Sequence, residues 1–147
     1  MRRGARTAAL VLVLAACGLK NDPLAPELVR PMPPASLSAI AAADGVTLRW
    51  RRPTSYVGGQ RMRDLGGFDI ERAPAAGEPF AKVGTLTLAD QQRFRQERDL
   101  SWTDRSVVRG EEYVYRVVAF TTDGSRSVPS RVARIRWVPP APATGAD

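Results

Sequence analysis

Cys17 is the only cysteine of the 147-residue chain, which contains no histidine. A thiol or hydroxyl nucleophile is usually activated by an imidazole, so neither a Cys-His nor a Ser-His pair is available here. Metal sites of the imidazole or thiolate type are excluded for the same reason. The sequence therefore predicts a chain that is not an enzyme and holds no metal, and Cys17 must have another role.

Paired carboxylates are the remaining route to acid-base chemistry. Most carboxylates of the predicted domain stand beside arginines or in turns, which favours a role in solvating the surface. Two double glycines also lack the spacing and the following lysine of a phosphate-binding loop. The carboxylates considered are Asp64, Asp69, Glu71, Asp90, Glu97, Asp99, Asp104, Glu111, Glu112 and Asp123.

The residues before Cys17 have the organisation of a secretory signal. Residues 1–6 are basic, residues 7–16 are apolar but too short to span a bilayer as a mature helix, and small residues precede the cysteine. The stretch LAACG at residues 14–18 resembles a bacterial lipobox. The resemblance implies that residues 1–16 are cleaved, that the Cys17 thiol carries a diacylglyceryl group and its amine a further acyl chain, and that no other cofactor is bound. Such lipid chains give lasting membrane attachment.

The residue after the cysteine indicates to which membrane such a lipoprotein is delivered. In lipoproteins of diderm bacteria an aspartate at this position tends to retain the protein at the inner membrane. Here the residue is Gly18, so the resemblance implies delivery to the outer membrane. The opening CGLKNDPLAPE at residues 17–27 also resembles the first residues of many small proteobacterial lipoproteins.

A proline-rich segment follows the cysteine. Five prolines lie between residues 21 and 34, and such segments prefer extended polyproline-like conformations of ~3.1 Å per residue. Residues 17–34 are therefore predicted to be a tether. The folded unit is expected over residues 35–138, and residues 139–147 are expected to form a disordered tail.

Period-two alternation predicts short strands. In GVTLRWRRP at residues 45–53 an apolar face of Val46, Leu48 and Trp50 alternates with polar residues. Residues 67–73 repeat the pattern, and residues 80–86 do so more weakly. The longest run, at residues 112–127, includes Asp123-Gly124, a dipeptide that suits a tight hairpin, and residues 130–138 follow as a last strand. About seven short strands separated by turn signals predict an all-β sandwich.

The arrangement is similar to the fibronectin type III domain over about a hundred residues. It departs from that pattern at Arg109, where proline is usual, and in two enlarged connections, residues 51–67 and 86–100. The resemblance implies an immunoglobulin-like sandwich in which Trp50 fills the space between the sheets and Tyr113 ties a corner by a hydrogen bond to the backbone. The matching positions are Pro34, Leu37, Trp50, Pro53, Phe68, Ile70, Arg72, Val107, Gly110, Tyr113, Tyr115, Val117, Ala119, Gly124, Ser127, Pro129 and Ser130.

The distribution of charge limits the classes of partner that the chain is expected to bind. The formal net charge is +7, but three of the arginines belong to the predicted leader, and the remaining charges are interspersed rather than gathered into a basic stripe. A nucleic-acid partner is therefore not expected, whereas contact with anionic lipid head groups stays open. Two functions remain: a lipid-anchored module that binds a protein at the periplasmic face of the outer membrane, or a surface-exposed module that binds carbohydrate or another envelope polymer.

One strand carries more apolar residues than its predicted outer face requires. If Tyr113, Tyr115, Val117 and Ala119 face the core, alternation places Val114, Arg116, Val118 and Phe120 on the other side. These four residues are the predicted interaction face, with Arg116 flanked by Asp69 and Glu71 of a neighbouring strand. The alternative is that residues 86–100 or the tether cover this stripe, since exposed apolar patches on monomers are limited in size.

Overall fold

The computed structural model describes residue 23, residues 25–89 and residues 98–141. These residues form two antiparallel sheets, one with the strand order β1-β2-β5 and one with the order β4-β3-β6-β7. The strands are β1 Ala35–Ala42, β2 Gly45–Arg51, β3 Leu65–Pro74, β4 Ala81–Thr87, β5 Asp99–Asp104, β6 Glu112–Thr121 and β7 Ala133–Arg136. The predicted all-β sandwich of seven strands is thus confirmed.

The core lies between the two sheets and is built from alternate residues of β2, β3 and β6. Trp50 of β2 is 1 % exposed, and its ring meets that of Phe68 of β3 edge-on at 5.4 Å between centroids. Such edge-to-face packing suits the charge distribution of aromatic rings. The predicted inward residues Val46, Leu48, Ile70, Tyr115, Val117 and Ala119 all have no exposed surface.

A bulge in β4 lies beside a close contact of its sheet with β5. The register shifts between Ile70 and Glu71, and Ile70 pairs with Gly84 of β4. A Cβ atom added at Gly84 would lie 2.2 Å from the Trp102 ring of β5, so only glycine leaves room for this contact between the sheets.

The corner before β6 is closed as the sequence predicted. The backbone N–H of Val108 donates to the Tyr113 hydroxyl at 2.9 Å, which is the phenol-to-backbone hydrogen bond of a tyrosine corner. Gly110 adopts a φ of 87° within this corner, a conformation that glycine accepts without the steric cost of a Cβ atom.

Two serines continue the hydrogen bonding of β6 where no regular strand faces it. The chain turns at Gly124 and then runs beside β6 before β7 begins. The N–H groups of Ala119 and Val117 donate to the side-chain oxygens of Ser127 and Ser130 at 2.9 Å and 3.0 Å. The β6 backbone donors are therefore satisfied although the segment lies outside β7.

The predicted tether is partly folded, which corrects its expected extent. The N–H of Met32 donates to the carbonyl of Ser55, and the N–H groups of Val57 and Gly58 donate to the carbonyls of Arg30 and Leu28. Residues 28–32 therefore pair with residues 55–58 of the enlarged connection, in register through a bridge between Pro31 and Tyr56. Structured pairing begins near Leu28, seven residues before β1.

Candidate interaction face

The four residues of the predicted interaction face lie on the outer side of the four-stranded sheet. In register, Val118 pairs with Asp69, Arg116 with Glu71 and Val114 with Ala73, all on β3. Paired residues of an antiparallel ladder project from the same face. The outer face of β6 is thus continuous with an acidic outer face of β3, as the alternation predicted.

Arginines from the segment after Gly124 cross this face. Arg126 pairs with Phe120 on the β7 side of β6, yet its Nη1 donates to Asp69 of β3 at 2.6 Å. Arg134 of β7 pairs with Val114 and donates to the carbonyl of Ala75, just beyond β3, at 2.9 Å. Both side chains must pass over β6 to reach these acceptors, so their aliphatic stems cover its valines.

Arg116 completes this cover. Its Nε donates to Glu71 at 2.6 Å, and its guanidinium lies 4.0 Å from the centre of the Phe80 ring. A cation over an aromatic face is favourable, most of all where water is partly excluded. The predicted pairing of Arg116 with an acidic residue of the neighbouring strand is confirmed. This ion pair joins β6 to β3 within one sheet and does not orient a partner.

Among the charged residues paired on the outer face of β3 and β6, Asp69 is the most enclosed. Its side chain is 5 % exposed and lies close to the cations of Arg126 and Lys82. Burial alone would raise the pKa of this carboxyl, but hydrogen bonds from Thr85 and Arg126, together with the neighbouring positive charges, hold its pKa below the ordinary value. Asp69 is therefore an ionised, internally paired group and not the solvent-facing one that the sequence predicted.

The expected exposure of the apolar stripe is wrong. Val114 is 1 % and Val118 4 % exposed, while Arg116 and Phe120 are half-buried. Phe120 packs on the double glycine of β3, where an added Cβ at Gly67 would lie 2.7 Å from its ring. The side chains of Arg116, Arg126 and Arg134 reach across this stripe. Of the two segments considered from the sequence as a cover, residues 90–97 and most of residues 17–24 lie outside the described part of the chain.

Replacing Val118 with glutamate is expected to destabilise the domain. The new carboxylate would be buried beside Asp69, and such unpaired buried charge costs roughly 2–4 kcal/mol of unfolding free energy. Thermal unfolding followed by circular dichroism should show a midpoint lower by about 10 °C or more. The matched control is Ile40→Glu, because Ile40 lies on β1 and is 46 % exposed. Equal midpoints for the two variants would contradict the burial of Val118.

A buried polar cluster lies between the sheets, and sequence reasoning missed it. Asp104, at the end of β5, is 1 % exposed. Its carboxylate accepts hydrogen bonds from Arg72 at 2.7 Å, from the Tyr115 hydroxyl at 2.9 Å and from both the N–H and the hydroxyl of Ser106. The clue in the sequence was alternation, since Leu100, Trp102 and Asp104 share one face of β5.

The electrostatics of this cluster are mutually stabilising. Burial would raise the pKa of Asp104, but the hydrogen bonds from Ser106 and Tyr115 and the charge of Arg72 hold it below the ordinary value. Burial, together with the negative charge of Asp104, raises the pKa of the Tyr115 hydroxyl. Every polar atom of the Asp104 carboxylate is used inside the domain, so the cluster serves structure and not the surface solvation expected from the sequence.

Comparisons with known proteins agree with this architecture. No family model matches the sequence, and no curated protein matches it. A titin structure containing domains A168–A170 superposes with a TM-score of 0.53 at 22 % identity, covering 73 % of this chain and 32 % of that one. The twitchin kinase region from C. elegans gives a TM-score of 0.53 at 20 % identity over 75 % of this chain and 17 % of that one. The fold is a fibronectin type III/immunoglobulin-like sandwich.

A bacterial structure shares the same sandwich. The β-1,2-glucanase from Parabacteroides distasonis matches with a TM-score of 0.53 at 15 % identity, covering 76 % of this chain and 13 % of that chain. In all three cases this chain spans a third or less of the structure that it matches, and identities at this level support the fold alone.

The remaining predicted site residue, Cys17, lies outside the described residues. Within residues 25–89 and 98–141 the sandwich contains no group of three or more His, Cys, Asp or Glu that could hold a metal ion. The same part of the chain contains no helix long and apolar enough to cross a membrane.

Proposed function

We propose that this chain is a lipid-anchored, non-catalytic binding module of the bacterial cell envelope, which holds a protein partner at the periplasmic face of the outer membrane. The observation that carries the proposal is the order of its parts. The predicted leader, residues 1–16, ends directly before Cys17, the proposed acylation site. Cys17 lies eleven residues before Leu28, the first described residue that pairs with the enlarged connection. The lipid supplies the location and the sandwich supplies the binding surface.

The internal use of its buried carboxylates supports a non-catalytic role. Asp69 is occupied by Thr85, Arg126 and Lys82, and Asp104 by the cluster described above. General acid-base catalysis requires a group whose proton can be exchanged with a substrate. Both carboxylates are instead held ionised by partners within the domain, and fibronectin-like domains act typically as binding or spacing units.

The placement of the aromatic side chains supports a protein partner over an envelope polymer. In the described part of the chain every aromatic residue is buried or half-buried, whereas polymer-binding surfaces commonly present a row of exposed rings. The likeness to the β-1,2-glucanase covers 13 % of that chain and therefore does not favour a glucan ligand.

Replacing Cys17 with serine is expected to abolish anchoring. A hydroxyl is a far weaker nucleophile than a thiol and does not accept the diacylglyceryl group, so the precursor should stay uncleaved and incorporate no labelled palmitate. The matched control is Gly18→Ala, which leaves the thiol in place and should be labelled as the parent is. Label incorporated by the Cys17→Ser chain would overturn the anchoring proposal.

The partner is tested with the acylated chain. We expect affinity purification from crosslinked, detergent-solubilised envelopes to recover one protein with this chain and not with an unrelated lipoprotein. Protease treatment of intact cells gives the orientation, because a periplasmic domain stays protected. Digestion in intact cells, together with binding to purified envelope polysaccharide, would instead support the polymer-binding function.

A further inference from the structure

The folded end of the predicted tether forms a small sheet with the enlarged connection. Residues 28–32 pair with residues 55–58, and a bridge between Ser55 and Arg61 adds a third extended segment. Pro31 is buried and its partner Tyr56 is half-buried, so these two define the inner side. Alternation then places their neighbours on the outer side.

The outer side of this small sheet combines apolar and basic residues. Its apolar members are well exposed, with Leu28 at 39 %, Met32 at 42 % and Val57 at 50 %. Arg30 and Arg61 are also exposed, and neither forms an ion pair with a carboxylate of the described residues. We call this surface the basic-apolar face and define it as Leu28, Arg30, Met32, Val57 and Arg61.

The inner side holds the basic-apolar face rigidly on the sandwich. Met62, next to Arg61, is 8 % exposed and belongs to the core. Tyr56 packs against that core, and its hydroxyl donates to the carboxylate of Asp64. The backbone carbonyl of Asp64 accepts from the N–H of Thr122, the residue after β6. The face is therefore preorganised, which lowers the entropic cost of binding through it.

We propose that the basic-apolar face docks on an anionic phospholipid surface. Arginine pairs well with lipid phosphates because its planar guanidinium offers two parallel donors, and exposed apolar side chains between such arginines can enter the head-group region. The inference deepens the proposed function and rests on it for location. Eleven residues from Cys17 to Leu28 span at most about 40 Å, so an anchored chain keeps this face within reach of its own membrane at high effective concentration.

Charge favours a bilayer over a second copy of the chain as the occupant. A two-fold symmetric dimer through this face would bring the same patch of each copy together, so that the like charges of Arg30 and Arg61 would approach those of their symmetry mates. An anionic surface instead offers opposite charge to both arginines. The hydrophobic and electrostatic contributions then act in the same direction.

The test uses residues 18–147, which keep every described residue of the domain and lack the acylation site. Sedimentation with vesicles of phosphatidylethanolamine and phosphatidylglycerol at low salt should recover the chain, whereas vesicles of phosphatidylcholine alone should not. We expect the partition coefficient to fall roughly fivefold for each arginine removed, hence about 25-fold for Arg30→Gln with Arg61→Gln. High salt should lower it as well.

Matched variants separate this face from net charge and general hydrophobicity. Arg109→Gln with Arg131→Gln makes the same charge change at exposed positions outside the face. We expect this pair to lose less vesicle binding than Arg30→Gln with Arg61→Gln. Val57→Asn should also weaken binding, while Val108→Asn, at a valine 61 % exposed beyond the other end of β6, should not.

Three results would overturn the inference. These are no binding to anionic vesicles at low salt, equal losses in the test and control pairs, and a dimer in light scattering that Val57→Asn dissociates while vesicles are not bound. None of them bears on the proposed anchoring, because palmitate labelling of the full chain at Cys17 is a separate measurement. Conversely, a chain that incorporates no palmitate but still binds anionic vesicles would contradict the proposed anchoring and support the basic-apolar face.

Discussion

The Trp50→Ala chain is expected to lose most of its cooperative unfolding. Trp50 is 1 % exposed and packs between the sheets against Phe68, and truncation of such a side chain costs roughly 3–5 kcal/mol. Because small domains are stable by only about 5–15 kcal/mol, this is a large fraction of the total. Urea denaturation of residues 18–147, followed by circular dichroism, measures the loss.

Trp50→Phe is the matched control for this prediction. The indole Nε1 of Trp50 is buried without a hydrogen-bond partner among the described residues, so phenylalanine removes volume but no hydrogen bond. We expect it to cost clearly less than alanine. A Trp50→Ala midpoint close to that of the parent would mean that the side chain is not part of the core.

Replacing Asp104 with alanine is expected to cost about 3 kcal/mol. The change leaves Arg72 and the Tyr115 hydroxyl without their buried acceptor, and breaking a buried ion pair from one side costs roughly 3–5 kcal/mol; the partial exposure of Arg72, at 22 %, places the expectation at the low end. The matched control is Asp44→Ala, which removes an ion pair to Arg105 of similar length but with both side chains more than half exposed. Such surface pairs contribute at most about 1 kcal/mol.

Acidification is expected to remove much of the difference in unfolding free energy between the parent and the Asp104→Asn variant. The folded-state pKa of Asp104 is lowered from its ordinary value of 3.8, so its contribution is present above about pH 4 and is lost as the pH falls through the lower, folded-state pKa. The gap in unfolding free energy should therefore be constant near neutral pH and shrink below pH 4. A gap that widens on acidification would contradict an ionised, hydrogen-bonded Asp104.

Alternation in the sequence was sufficient to predict the sheets, because inward residues are dictated by the need to bury apolar surface. Trp50, Phe68 and Tyr115 were placed in the core from period two alone, and the Tyr113 corner followed from its resemblance to a known pattern. All four positions depend on local spacing. The strand β5 was not predicted, since six residues after a long polar connection give only a short alternating signal.

The outer face of β6 could not be predicted because its cover comes from distant residues. Besides Arg116, the cover of Val114 and Val118 comes from Arg126 and Arg134, which lie eight or more residues away along the chain. Local periodicity does not state where such long side chains will lie. The same limit applies to Asp104, whose partner Arg72 is thirty-two residues away. A buried carboxylate and a solvated one have the same sequence signature until the fold brings their neighbours together.

The pairing of residues 28–32 with residues 55–58 sets how far an anchored domain can travel. With its three backbone hydrogen bonds in place, the proposed linker from Cys17 ends at Leu28. Breaking them would free up to seven residues, 28–34, which correspond to about 23 Å of extended chain. If the chain is anchored at Cys17 as we propose, the domain would therefore have a shorter and a longer reach from the membrane.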